Sequence, residues 1–224
     1  MVLEFFKGGA DQSLEDIEAT IADMLLMNRH TFDLAINALV GGTDPAAVGK
    51  EIRKSDRRVN KAERRIRREL VVHTSVRGKQ ADLPRVLVSM SIIKDAERIG
   101  DYAKNIWDLA HAGIDLSEAD DIDALRSMRD RTSKLLADCA RIYQDRDTGA
   151  VHSLVPKLDD ELDEYDACLL AQLESTAVAR DAVPRALLCR YLKRITAHAM
   201  NVITSLVMPV DRLDYYDEDK ADRE

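Results

Sequence analysis

Ile92-Ile93-Lys94-Asp95-Ala96-Glu97-Arg98-Ile99-Gly100-Asp101-Tyr102-Ala103-Lys104-Asn105-Ile106 is the stretch on which the reading of this chain turns. Ile92, Ile99, Ala103 and Ile106 recur at helical spacing, so the segment predicts a helix with one buried stripe. Glu97 and Asp101 lie four residues apart and share a second face, which Asn105 continues. Two carboxylates stacked one turn apart repel each other by a few kcal/mol at about 4 Å and an effective dielectric of about 20. A cation or a basic group is therefore expected between them.

Working outward, the same helical spacing runs through the chain. Ser13 with Asp16 forms a capping box before Leu14, Ile17, Ile21, Met24, Phe32, Ile36 and Leu39, a first helix that Gly41-Gly42 stops. Asp44-Pro45 opens a second helix with Ile52, Val59, Ile66 and Leu70 inside, and Asp82 before Leu83-Pro84 opens the third, which Gly113 ends. Ser117 with Asp120 predicts the start of a fourth helix, closed by Gly149. A fifth carries Val151, Leu158, Leu162 and Leu173, and a sixth runs from Asp181-Pro184 to about Met208-Pro209.

Composition agrees with an all-α fold. The 224 residues are 46% hydrophobic but only 4% aromatic, and five prolines and nine glycines interrupt them, a balance that suits long helices rather than sheets. Cys139, Cys168 and Cys189 are odd in number and widely spaced, which predicts free thiols in a reducing compartment. The N-terminal residues lack the apolar core of a signal peptide and no apolar run reaches 18 residues, so a cytoplasmic protein is expected. The net charge of -8 argues against nucleic acid as the main partner.

The second half repeats the first. Asp56-Arg57-Arg58-Val59-Asn60 aligns with Asp159-Asp160-Glu161-Leu162-Asp163 at an offset of 103, and Ala96-Glu97-Arg98-Ile99-Gly100-Asp101-Tyr102-Ala103-Lys104-Asn105-Ile106 aligns with Leu192-Lys193-Arg194-Ile195-Thr196-Ala197-His198-Ala199-Met200-Asn201-Val202 at an offset of 96. A shorter loop before the sixth helix absorbs the difference. The chain reads as a tandem duplication of a three-helix bundle: a first repeat over 1–113, a second over 114–210, and an acidic tail over 211–224. Repeated units of this kind predict an elongated molecule paired about a pseudo-two-fold axis.

With both third-helix motifs in view, the chain resembles the PhoU family, bacterial regulators of phosphate uptake whose two three-helix units each carry an L-E-R-I-G-D-H-A-x-N-I type signature. The likeness covers roughly residues 14 to 208. It implies a cytosolic, dimeric, non-enzymatic adaptor between the ATPase subunit of a phosphate ABC transporter and a sensor histidine kinase, reaching the membrane only through its partners. It also implies metal, such as iron, zinc, magnesium or manganese, on the acidic ladders of the second and third helices.

The four ladders differ in chemistry. Glu97 and Asp101 keep both acids, and Asp56 with Asn60 offers one carboxylate and one amide oxygen, so a metal in the first repeat is expected at Glu97, Asp101, Asp56 and Asn60. In the second repeat Asp159 and Asp163 face Lys193 and Ala197, which predicts a vestigial site closed by an ion pair from Lys193 to Asp159 or Asp163, with Asp166 one turn further on. Arg98 and Arg194 recur, and a structural ion pair is expected for each; Asn105 and Asn201 recur as helix-capping or inter-helix hydrogen bonders. Lys50 to Glu69 supplies ten cations against four acids, about +6, which leaves about -14 elsewhere from the total of -8. An acidic partner or the acidic half of a second subunit fits that run better than nucleic acid, because no aromatic residues interleave it. Two other readings stand beside the adaptor: a metal-free helical module regulating another transporter, and a ferritin-like metal-carboxylate bundle, which would need the Glu-x-x-His pairs this chain lacks. No phosphate loop, nucleophile elbow or zinc motif points to an enzyme.

Overall fold

The computed structural model describes residues 14–77, 82–213 and 215–217, and among them there are six α-helices and no strand. The expected cap at Ser13 lies outside the described residues. Helix α1 spans Leu14–Val40, α2 Pro45–Arg77, α3 Leu83–His111, α4 Ile122–Asp145, α5 Thr148–Leu173 and α6 Ala179–Thr204, with short 3-10 turns at Val210–Arg212 and Tyr215–Asp217.

Most punctuation follows the chemistry of the residues that make it. Asp44 Oδ1 accepts from the Ala46 amide at 2.9 Å beside Pro45, Asp82 caps α3 at the Arg85 amide beside Pro84, and Asp147 caps α5 at the Ala150 amide. Gly113, at φ +90°, takes the left-handed turn after α3. Two expectations are corrected. The fourth helix begins at Ile122 rather than at Ser117, because the Leu116 amide is tied to Leu39 O at 2.8 Å and the Ser117 amide to Asp115 Oδ1, which holds the segment as turns. That helix ends at the left-handed Arg146, φ 52°, and Gly149 instead lies inside the first turn of α5.

The two repeats share one core. α1 packs against α2, α3 and α4, while α6 packs against α3, α4 and α5, so α1, α3, α4 and α6 form a central layer that α2 and α5 flank. Ile17, Phe32, Ile66, Ile99, Leu136, Leu192 and Met200 belong to a single buried cluster that crosses the boundary between the repeats. Each fully buried aliphatic side chain in it contributes roughly 1.5–3 kcal/mol. No described helix is long and apolar enough to cross a membrane.

The expectation of three free cysteines fails. Cys168 on α5 and Cys189 on α6 form a disulfide across a Cα separation of 6.2 Å, and only Cys139 is free, buried in the core. The antiparallel run of α5 against α6 brings together two residues 21 apart in sequence. Closing that loop stabilises the fold by about 3 kcal/mol in the chain-entropy picture. Reduction, or Cys168→Ser, is therefore expected to lower the melting temperature by roughly 5–10 °C for a chain of this size. Thermal unfolding with and without reductant checks this, and an unchanged midpoint would contradict it.

Candidate functional site

The motif helix α3 presents acids to two sides. Its Glu97 and Asp101 side turns toward α2, and its Asp95 side turns into the contact with α6.

On the α2 side, the repulsion between Glu97 and Asp101 is answered by lysines of the same helix. Lys94 Nζ pairs with Glu97 Oε2 one turn before it, and Lys104 Nζ, one turn past Asp101, reaches across to Asp56 Oδ1 of α2 at 3.4 Å. Asn60, half-buried on α2, continues the face that Asp56 begins. Partial burial, and then the neighbouring Glu97 charge, raise the Asp101 carboxyl above the usual aspartate range; Asp56 adds to this, while Lys104 and Lys94 oppose it. The donor set does not fit the metal that the resemblance implies. Its two best-placed carboxylates are held by ammonium groups, and among the described residues no three His, Cys, Asp or Glu side chains gather closely enough to hold an ion.

The second ladder also uses a lysine, one turn away from where the sequence put it. Lys193 Nζ pairs with Asp166 Oδ2, one turn along α5 from Asp163. The reason is register: the carboxylate opposite Lys193 belongs to the next turn. Glu161 and Glu164 of the same helix are held by Arg131 of α4, at 3.5 and 2.8 Å.

The recurrent residues divide unequally between the repeats. Neither arginine makes the expected ion pair with a described residue: Arg194 Nη2 lies 3.2 Å from His198 Nε2, and Arg98 is exposed because its turn of α3 points to solvent. Asn201 Nδ2 donates to Asp95 Oδ1 at 3.4 Å, while Asn105 has no hydrogen bond to a described residue. Gly100 has a packing role. A Cβ there would sit 2.7 Å from Oδ1 of Asn28, a fully buried α1 side chain whose Nδ2 donates to Ala96 O.

On the α6 side lies a buried polar pair that sequence reading did not single out. His198, fully buried, faces Asp95 Oδ1 through Nδ1 at 2.8 Å. A guanidinium has no acceptor, so His198 Nε2 accepts from Arg194 and the ring proton sits on Nδ1, donated to the carboxylate. The repeat offset of 96 relates Asp95 to Tyr191 and His198 to Tyr102. Those tyrosines meet at the same place: Tyr102 stacks on His198 at 5.8 Å and lies 6.0 Å from Tyr191. The contact between the third helices thus pairs Asp95 with His198 and, at the positions related to them by the repeat offset, Tyr191 with Tyr102. The signal in the sequence was the paired substitution at equivalent positions, Asp for Tyr and His for Tyr.

This geometry can bridge helices and present a charged outer face. Residues 21–110 match the family model described as PhoU domain. That stretch is similar to a PhoU domain. The resemblance read from the chain's two third-helix motifs is thereby borne out, and the matched span covers α3 with both its acidic sides. A PhoU homologue of Synechocystis sp., named as a phosphate-specific transport system accessory protein, is 24% identical over 197 residues, covering 86% of this chain and 87% of that protein. The crystal structure of PhoU from Pseudomonas aeruginosa superimposes with a TM-score of 0.74 at 24% identity, over 87% of this chain and 95% of that one, so the six helices share the PhoU fold.

Two outcomes test the site. Ionisation of a carboxyl whose folded-state value is raised opposes folding above that range, and the penalty vanishes once pH falls below the unfolded-state value. Asp101→Asn is expected to raise stability at neutral pH by up to about 1 kcal/mol, the scale of screened charge pairs, with the gain lost on acidification; urea unfolding at neutral and acid pH measures both. Asp95→Ala strands the buried Nδ1–H of His198 and is expected to cost about 1–3 kcal/mol, whereas Asp95→Asn keeps an acceptor oxygen and costs less. Equal losses for the two substitutions would speak against the hydrogen bond.

Proposed function

We propose that this protein regulates phosphate transport as a non-enzymatic, cytosolic PhoU-type adaptor between a phosphate ABC transporter and a sensor histidine kinase. The observation that carries the reading is the matched PhoU domain, with its motif helix placed at the centre of a PhoU fold. The accessory role in phosphate-specific transport named for the Synechocystis protein supplies the process. A rigid bundle that joins two motif helices across a pseudo-two-fold axis suits a protein that meets two partners at once. The adaptor reading requires no metal at the first ladder, where Lys94 and Lys104 already hold the acids.

Co-purification tests it. The tagged protein is expected to retain the ATPase subunit of its host's phosphate transporter. Retention of another transporter's ATPase in its place would favour a relative that has changed its client, and retention of neither would count against the adaptor role.

A further inference from the structure

Helix α2 carries a feature that folding does not require. Lys50, Lys54, Arg57, Lys61, Arg64 and Arg68 follow one another at steps of four and three residues, which on a helix of 3.6 residues per turn puts all six on one line. All six are exposed, and the line extends about 27 Å at 1.5 Å per residue. Lys54 is paired with Glu51, but Lys50, Arg57, Lys61, Arg64 and Arg68 have no ion pair with any described residue. The opposite face of α2, with Ile52, Val59, Ile66 and Leu70, is buried against α1 and α3, so the line faces away from the bundle.

The second repeat supplies an internal control. At the offset of 103, the six cations become Ser153, Lys157, Asp160, Glu164, Ala167 and Ala171 on α5, the second helix of its own repeat. One helix keeps the line and the other does without it, so the line serves something outside the bundle.

The geometry points to direct docking of α2 on an anionic phospholipid surface. A straight, convex row of cations lies tangent to a flat charged plane, and each cation near such a leaflet multiplies the partition by about five. The rest of the chain, at about -14, would be repelled from that plane, and this orients the molecule with α2 toward it. Large apolar side chains stand exposed where α2 ends and α3 begins: Val71, Val76, Leu83 and Leu87, suited to the headgroup boundary. A second copy of the chain is a poorer match, because three acids of α5 are already engaged, Glu161 and Glu164 by Arg131 and Asp166 by Lys193. Nucleic acid fits less well too, since the row has no aromatic side chain for stacking. This inference departs from a chain that reaches the membrane only through its partners, and it does not rest on the transporter reading.

Vesicle flotation of the full chain tests it, using phosphatidylcholine vesicles with and without phosphatidylglycerol at low, about 0.15 M and high salt. The wild type is expected to float with the anionic vesicles only, and less as salt rises. Arg57→Glu/Lys61→Glu/Arg64→Glu is expected to lose at least about tenfold in binding. The control Arg126→Glu/Lys157→Glu/Arg180→Glu makes the same change in net charge at exposed residues outside α2 that carry no ion pair with a described residue, and is expected to bind like the wild type. Circular dichroism establishes that each variant is folded; should the reversed triple fail to fold, the glutamine triple at the same positions replaces it. No flotation of the wild type, flotation insensitive to salt, or equal binding by the α2 variant would overturn the proposal. So would self-association or duplex DNA binding lost in the α2 variant without any binding to vesicles, since the row would then belong to that partner.

Discussion

The fold depends on the contact between α3 and α6, the third helices of the two repeats. Three-helix units of this size have too little interior to stand far apart, and burying one motif helix against the other joins their cores into a single cluster. Asp95, His198, Arg194 and Asn201 place a polar network in the middle of that contact, where an unpaired group would be costly. Such a network favours one register of the two helices over its neighbours. A slip by one turn would separate the carboxylate from the imidazole while leaving the apolar packing nearly as good.

Duplication explains why this device takes an asymmetric form. Where two repeats pack symmetrically, each contact between two positions recurs between their equivalents, so a symmetric ancestor would hold the same pair of side chains twice. Here the two copies differ, and one is the tyrosine pair Tyr102 and Tyr191, ring against ring. Asp95 and His198 occupy the positions related to Tyr191 and Tyr102, and a carboxylate with an imidazole makes a stronger and more directional pair. The acidic ladders show the same economy. Lysines pair with carboxylates in both repeats, Lys94 and Lys104 from the motif helix in one and Lys193 in the other.

What was legible in the sequence was local or repeated. Helix spacing, Asp44-Pro45, Asp82 before Pro84 and Gly113 act within a few residues, so they could be read directly, and the duplication announced itself by its two offsets. What escaped depends on register between helices. Nothing near Cys168 signals that Cys189 faces it, and Lys193 could be matched to Asp159, Asp163 or Asp166 with equal right until the turn opposite it was fixed. Asp95 was hidden because it lies among alternating charges, and only its partner 103 residues away shows it to be an interior acid. Ser117 with Asp120 imitated a helix start, and a single backbone hydrogen bond from Leu116 to Leu39 overrode it.

Comparison of the two repeats then separates what the fold needs from what it tolerates. The apolar positions of α2 are kept in α5, where Val59, Ile66 and Leu70 correspond to Leu162, Leu169 and Leu173, although Leu173 lies exposed near the end of α5. The outward faces have diverged, one a line of cations and the other, at the equivalent positions, the mixed Ser153, Lys157, Asp160, Glu164, Ala167 and Ala171. Drift alone would leave mixed charges on both. A long row in which five of six cations carry no ion pair with a described residue maintains its own repulsion at a cost to stability, since like charges three and four residues apart on a helix oppose its formation. Sequences do not hold such a row against that cost unless a negative surface outside the molecule relieves it, and for this chain that places the selection on α2 in binding rather than in folding.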